Sequence, residues 1–106
     1  MATPDSTVKV LLIRPWIHSL DPIRAALRVA GYEARFTRVD IEPALQAALA
    51  RGDFDLVIVD PATPGLPRST IEACLRDHRS SVPLIELDGF AGLAPAIRRA
   101  LEARRS

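Results

Sequence analysis

The sequence predicts an α/β fold in which helices cover both faces of a parallel sheet, and three observations support this prediction. Four apolar segments of strand length alternate with four amphipathic segments of helix length along the 106 residues. The first and third strand segments are apolar almost without interruption, which is typical of strands buried on both faces. Because each strand is followed by a helix, right-handed crossovers and parallel pairing are expected.

The predicted elements follow one another in a regular order. The strands are predicted over residues 8–13, 32–39, 54–60 and 82–87. The first three helices are expected to begin at capping side chains, which are Asp21, Asp40 and, in a capping box with Glu72, Ser69. The last helix is predicted over about 93–105, where Leu93, Ile97 and Leu101 recur at helical spacing.

Composition indicates a single soluble domain and no special class of ligand. The length of 106 residues fits one domain over 1–106, and 48% hydrophobic with 25% charged residues is ordinary for a globular protein. The formal net charge of +1 predicts no general attraction to nucleic acid or membranes, and no apolar run is long enough to span a bilayer. The single cysteine, Cys74, cannot form an internal disulfide, which favours a cytoplasmic location.

The third strand and the loop after it resemble a known family. The segment 52–60 reads Gly-Asp-Phe-Asp-Leu-Val-Ile-Val-Asp and is followed by Thr63-Pro64-Gly65-Leu66. This motif resembles the phospho-acceptor strand and loop of response-regulator receiver domains, and the order of elements extends the resemblance over nearly the whole chain. The resemblance implies a CheY-like, flavodoxin-like three-layer αβα sandwich and a role in two-component signal transduction.

The segment before the last helix is much shorter than in that family. Between Gly89 and the predicted helix the chain has only Phe90, Ala91 and Gly92, whereas receivers have a further helix and strand there. The resemblance therefore implies a four-stranded parallel sheet of order 2-1-3-4, from which the family's fourth helix and fifth strand are missing. The lysine that receivers carry after the fifth strand has no counterpart.

The resemblance also implies where a phosphorylation site would lie. In receivers, an aspartate at the end of the third strand accepts the phosphoryl group, and two acidic residues after the first strand help to hold Mg²⁺. By position the acceptor matches Asp60, whereas the acidic pair falls on Arg14 and Pro15, which cannot supply a carboxylate. The family's hydroxyl residue after the fourth strand falls on Asp88, which brings a like charge where a donor is needed.

These departures predict a degenerate site. We expect no catalytic residue, no cofactor and no bound Mg²⁺, and we expect the Arg14 guanidinium to pair with Asp60 in place of the metal ion. A metal site formed by Asp60 with Glu86 and Asp88 is an alternative, although acids are common at strand ends and turns for structural reasons.

The expected function is that of a pseudo-receiver, a non-catalytic signalling module that binds proteins independently of phosphorylation. Two alternatives remain open. The chain could be a working response regulator that accepts a phosphoryl group on Asp60 from a histidine kinase in a phosphorelay. It could also be a nucleic-acid-binding regulator that uses the basic residues of the last helix, which are Arg98, Arg99, Arg104 and Arg105.

Without a fifth strand, the fourth strand becomes a sheet edge, and some apolar surface near it is expected to stay uncovered. The candidate interaction residues are Trp16, Leu84, Glu86, Leu93, Ile97 and Leu101. The last three could pack on the sheet or on a second copy of the chain. We expect a homodimer or docking to a sensor or kinase module, with no membrane contact; a nucleic-acid partner belongs only to the alternative given above.

Overall fold

The computed structural model describes residues 7–105, in which strands and helices alternate strictly. The strands are β1 (Thr7–Ile13), β2 (Glu33–Val39), β3 (Leu56–Val59) and β4 (Leu84–Glu86). The helices are α1 (Asp21–Val29), α2 (Glu42–Arg51), α3 (Arg68–Asp77) and α4 (Leu93–Arg105). The order of these elements agrees with the prediction from the sequence. None of the helices in this range is long and apolar enough to cross a membrane.

The four strands form one parallel sheet of order β2-β1-β3-β4, which confirms the predicted fold class. In the register of the sheet, Ile13 is opposite both Val39 and Val59, and Val59 is opposite Glu86. The last residues of the four strands therefore form one row across the sheet. The four-stranded parallel sheet and the helices around it are consistent with a flavodoxin-like fold.

Alternate residues of β1 point to opposite faces of the sheet, and two helices cover each face. Val10 and Leu12 belong to the core under α1 and α4, whereas Leu11 and Ile13 belong to the core under α2 and α3. All four side chains are fully buried. Because it is covered on both faces, β1 is apolar throughout most of its length.

The apolar face of α4 is part of this core and not a free surface. Leu93, Ile97 and Leu101 are at most 4% exposed and belong to the cluster that contains α1 and β1. Of the two partners expected for these residues, the sheet is the correct one, and their assignment as interaction candidates is wrong. The physical reason is that α4 packs beside α1 and against β4, so its apolar stripe has no free side.

The region around β4 is also better covered than expected. Leu84 is half-buried and packs against the core under α2 and α3. Ile85 is half-buried on the opposite face, under α1 and α4. Because β4 is only 3 residues long, its two apolar side chains find cover on both faces, and Leu84 does not form an exposed apolar surface.

The helices do not use the predicted caps. Asp21 is the first helical residue of α1 and not its cap, and Ile41, not Asp40, occupies the N-cap position of α2. The helix α3 begins directly after Pro67 with no side-chain cap, so the capping box does not form. In α1 and α2 a proline lies in the first turn, which removes one of the free N–H groups that a cap would satisfy.

The single cysteine lies inside the core under α2 and α3. Cys74 is 1% exposed, and its sulfur accepts a hydrogen bond from the side-chain amide of Gln46 at 3.3 Å. Burial raises the pKa of the Cys74 thiol, and the charges of Glu42 and Asp77 raise it further. The folded protein therefore keeps this thiol protonated at a pH where the unfolded chain loses the proton.

We expect this group to make the protein less stable as the pH rises above about 8.5, where an unfolded thiol ionises, and to have no such effect below that pH. The Cys74→Ala variant should lose less free energy of unfolding than the wild type between about pH 7 and about pH 9.5. Urea denaturation of both proteins at the two pH values measures the difference. An equal loss in both would contradict the prediction.

Candidate functional site

The carboxyl ends of the strands place Arg14 and Asp60 side by side at one edge of the sheet. Arg14 directly follows β1, and Asp60 directly follows β3. The backbone ladder continues through both residues, because the Arg14 N–H donates to the Val39 carbonyl at 3.2 Å and the Asp60 N–H donates to the Ile13 carbonyl at 2.7 Å. In open parallel sheets this edge is where ligand sites form.

The two side chains form an ion pair, which confirms the pairing expected from the sequence. A guanidinium nitrogen of Arg14 lies 2.9 Å from Asp60 Oδ2, and the side chains are 12% and 11% exposed, respectively. Asp60 Oδ1 accepts the Ala62 N–H at 2.9 Å, and Arg14 Nε donates to the Ser19 carbonyl at 3.2 Å. Donors therefore occupy both oxygens of Asp60, and the pair is tied to the loops after β1 and β3.

Phe90 and Thr63 complete the surroundings of the pair. The guanidinium carbon of Arg14 lies 5.8 Å from the centre of the Phe90 ring, which is a cation–π distance. The buried hydroxyl of Thr63 donates to the Asp60 carbonyl at 2.7 Å and holds the loop after β3 against the strand end. Among the described residues, every buried side-chain nitrogen or oxygen has a hydrogen-bond partner. The Asp60 carboxylate is therefore surrounded by other groups of the protein, and Arg14 balances its charge.

The energetics of the pair depend on its low exposure. At about 3 Å and an effective dielectric near 20, two unit charges attract by on the order of 5 kcal/mol before desolvation. The net contribution to stability is smaller, because both charges have been taken out of water. Either charge alone at this position would be much less favourable than the pair.

These residues do not fit the Mg²⁺ ion that the receiver resemblance implies. Mg²⁺ requires oxygen ligands in near-octahedral geometry, but the Arg14 guanidinium holds the Asp60 oxygen that would bind it. Pro15 has no side-chain oxygen, and its carbonyl accepts a hydrogen bond from Arg38 at 2.8 Å. A cation of the protein therefore stands where a divalent ion would be needed.

Glu86 and Asp88 do not join Asp60. Glu86 pairs with Arg68 at 3.0 Å, and both of these side chains are about half exposed. Asp88 is exposed on the loop after β4. In the part of the chain that the structure describes, no three histidine, cysteine or acidic side chains are placed to hold a metal ion. The alternative of a metal site formed by these three acids is therefore wrong.

Arg38, at the carboxyl end of β2, holds the loop after β1 and was missed in the sequence analysis. Its guanidinium donates to three carbonyls of that loop, which are those of Arg14, Pro15 and His18. The guanidinium carbon also lies 5.1 Å from the centre of the Trp16 ring. One basic side chain therefore fixes the loop that carries Trp16, which is exposed as expected for a surface candidate.

The strand pattern contained a signal for Arg38. Ala34, Phe36 and Arg38 alternate along β2, and the first two are half-buried against the core under α1 and α4. An arginine at the next position on this face needs acceptors for its N–H groups. Burial and the charge of Arg14 lower the pKa of Arg38, whereas Asp40 raises it.

A close backbone contact joins the loops after β2 and β3. A Cβ atom on Gly65 would lie 2.5 Å from the carbonyl oxygen of Asp40, which is too close for any ordinary contact. The next residue, Leu66, is buried in the core under α2 and α3. The loop after β3 therefore packs directly against the loop after β2 at Gly65. Only glycine fits at this position, because any side chain would collide with the Asp40 carbonyl.

Comparison with known proteins adds no family to these observations. No protein-family model matches the chain, and no curated protein is significantly similar to it in sequence. The fold and the geometry at the carboxyl edge of the sheet are therefore the basis for a functional proposal.

The Gly65→Ala variant is expected to unfold more easily than the wild type by about 1–3 kcal/mol, because the new methyl group must push the Asp40 carbonyl away. Gly52→Ala is the matched control, since a Cβ there meets nothing within 4 Å and should be neutral or slightly stabilising. Urea denaturation measures both. Equal effects of the two substitutions would show that the loop contact is not tight.

A double-mutant cycle tests the ion pair. Arg14→Met leaves a nearly buried carboxylate unpaired and should lower the free energy of unfolding by about 2–4 kcal/mol. The double variant Arg14→Met/Asp60→Asn should lose less than the sum of the two single variants, by at least about 1 kcal/mol.

The exposed pair of Arg68 with Glu86 supplies the control for this cycle. Arg68→Met removes this pair and that of Arg68 with Glu72. It should still cost less than about 1 kcal/mol, because solvent screens pairs that are half exposed. Additive effects at Arg14 and Asp60 would contradict the coupling.

Proposed function

We propose that this chain is a pseudo-receiver, a receiver-like signalling module that binds proteins and works without phosphorylation. The ion pair of Arg14 with Asp60 carries the proposal. It lies at the end of the third strand of a parallel sheet of order 2-1-3-4, where the receiver resemblance implies a free phospho-acceptor. The proposal includes a role in two-component signal transduction and a cytoplasmic location.

The chemistry of the acceptor supports this proposal. A phospho-acceptor carboxylate needs an oxygen that is free to attack and a metal ion that offsets the charge of the transferring phosphoryl group. Oδ2 of Asp60 is bound to Arg14, and Oδ1 accepts the N–H of Ala62. Each oxygen therefore already accepts a hydrogen bond, and the oxygen that would bind the metal ion is held by a guanidinium.

Removing Arg14 from the site to admit Mg²⁺ would be costly. The guanidinium is fixed by the Ser19 carbonyl and lies beside the Phe90 ring. Breaking a buried pair typically costs about 3–5 kcal/mol, because the charge left behind has no counter-charge. The pair therefore favours a single conformational state, in which the loops after β1 and β3 stay tied together.

The partner in this proposal is a protein, either a second copy of the chain or a sensor or kinase module. In the described sheet β4 is an edge strand that pairs with β3 alone. An exposed strand edge can take up another strand. The ion pair of Glu86 with Arg68 places charged side chains beside the edge of β4. These charges disfavour pairing with strands of unrelated chains but do not block a partner that fits them.

We expect wild-type Asp60 to remain unmodified when the protein is incubated with acetyl phosphate, or with beryllofluoride, in the presence of Mg²⁺. Intact-mass spectrometry measures the first reaction, and the Tm with and without beryllofluoride measures the second. The Arg14→Asp variant places a second carboxylate opposite Asp60. Because the two carboxylates repel each other, its Tm without Mg²⁺ should be lower than that of the wild type, and added Mg²⁺ should raise it. The wild-type Tm should not respond to Mg²⁺, because Arg14 already balances the charge.

Stoichiometric addition of one phosphoryl group to the wild type, lost in the Asp60→Asn variant, would overturn the proposed function. That outcome would favour the alternative of a working response regulator.

A further inference from the structure

Exposed apolar side chains gather at the carboxyl edge of the sheet. Within residues 7–105, the exposed large hydrophobic side chains are Trp16, Ile17, Val29, Ile41 and Phe90. All except Val29 lie on the loops that follow β1, β2 and β4, and these loops leave the same edge of the parallel sheet. We call these four residues the carboxyl-edge surface. Val29 lies at the other end of α1.

The two most exposed of these side chains are held in place. Trp16 is 63% exposed and Ile17 is 87% exposed. The carbonyls on either side of them, those of Pro15 and His18, both accept hydrogen bonds from Arg38, and the His18 N–H donates to the Pro15 carbonyl at 3.1 Å. Because the loop is already ordered, a partner that binds it loses little conformational entropy.

The residue types of the carboxyl-edge surface are those expected at the centre of an interface. Apolar surface in water is unfavourable, and aromatic side chains such as those of Trp16 and Phe90 are enriched at protein interfaces. Tryptophan and arginine are enriched among the residues that contribute most to binding. Here the guanidinium carbon of Arg38 lies 5.1 Å from the centre of the Trp16 ring, so the ring is supported from within the protein.

Acidic residues border the carboxyl-edge surface. Asp40 and Glu42 flank Ile41, and Asp88 precedes Phe90 by two positions. Within residues 7–105 none of these three acids forms an ion pair. A partner that covered the apolar side chains would gain electrostatically by bringing positive charge to this border.

The basic side chains of the same region are already engaged. Arg14 pairs with Asp60, and Arg68 pairs with Glu86. Arg38 directs its N–H groups to backbone carbonyls. The carbonyls do not cancel the charge of Arg38, but the three acids of the border outnumber it. The net charge of these groups is therefore negative.

We propose that the carboxyl-edge surface binds a basic amphipathic segment of another protein. The apolar side chains of that segment cover Trp16, Ile17, Ile41 and Phe90, and its lysines or arginines face the acidic border. The inference rests on the proposed function, because a module that is locked against phosphorylation signals through a surface that it presents permanently. It adds a second place of contact, apart from the edge of β4, and the chemical character of the partner that binds there.

Trp16 makes the binding directly observable, because it is the only tryptophan of the chain. The probe is a synthetic amphipathic helical peptide of leucine and lysine, and the control peptide has glutamate in place of lysine. We expect the lysine peptide to shift the Trp16 emission to shorter wavelength and to protect it from acrylamide quenching, in a saturable and salt-sensitive way. The glutamate peptide should have no effect.

Substitutions on the surface distinguish binding at the carboxyl-edge surface from non-specific binding of the peptide to exposed apolar side chains. Ile17→Ser and Phe90→Ser should each raise the Kd for the lysine peptide by at least about fivefold, and Asp40→Asn/Asp88→Asn should raise it and reduce its salt dependence. Val29→Ser is the matched control, since it also removes an exposed apolar side chain, and its Kd should equal that of the wild type. All these positions are exposed or half-buried, and circular dichroism checks that each variant is folded.

Three outcomes of the peptide titrations would overturn this inference. They are no response to the lysine peptide, an equal response to both peptides, and an equal loss of affinity in the Val29→Ser variant. A Trp16 emission shift that depends on protein concentration alone would assign the surface to a second copy of the chain and would also overturn it. Phosphorylation of Asp60 would overturn the proposed function while leaving the titration unchanged, so the two failures are distinguishable.

Discussion

The ion pair between Arg14 and Asp60 is the interaction on which the arrangement of the carboxyl edge depends. It joins the ends of two neighbouring strands, and each member is also bound to the loop that follows its own strand. Both side chains are nearly buried, so either charge alone would be much less favourable there than the pair. The conformation of the loops after β1 and β3 is therefore coupled to this one contact.

The pair also allows a second guanidinium to lie close by. Arg38 reaches the loop after β1 from β2, and the charge of Arg14 lowers its pKa. Because Asp60 balances the charge of Arg14, and Asp40 offsets part of the repulsion on Arg38, the two guanidiniums can lie near each other at this edge. Arg38 is then free to bind backbone carbonyls, and this gives the loop a fixed shape in place of several alternative ones.

At the carboxyl edge of the sheet, the Asp60 carboxylate is occupied, whereas Trp16 and Ile17 on the neighbouring loop stay exposed. Both oxygens of Asp60 accept hydrogen bonds from other parts of the chain, and in the proposed function this removes the chemical input of a receiver. A separate set of hydrogen bonds, from Arg38, holds the loop on which Trp16 and Ile17 are exposed. This preordered loop supports the proposal of a module that binds proteins.

The fold class could be predicted from the sequence, because apolar runs that alternate with amphipathic segments indicate a parallel sheet. The strand order that the receiver resemblance implies then predicted that Arg14 and Asp60 follow neighbouring strands at one edge. Three features could be seen only in the folded chain: the apolar stripe of α4 is buried, Arg38 holds the loop after β1, and Gly65 lies against the Asp40 carbonyl. These contacts join side chains and backbone from different elements. Periodicity along the chain reports the face on which a residue lies but not what meets it there.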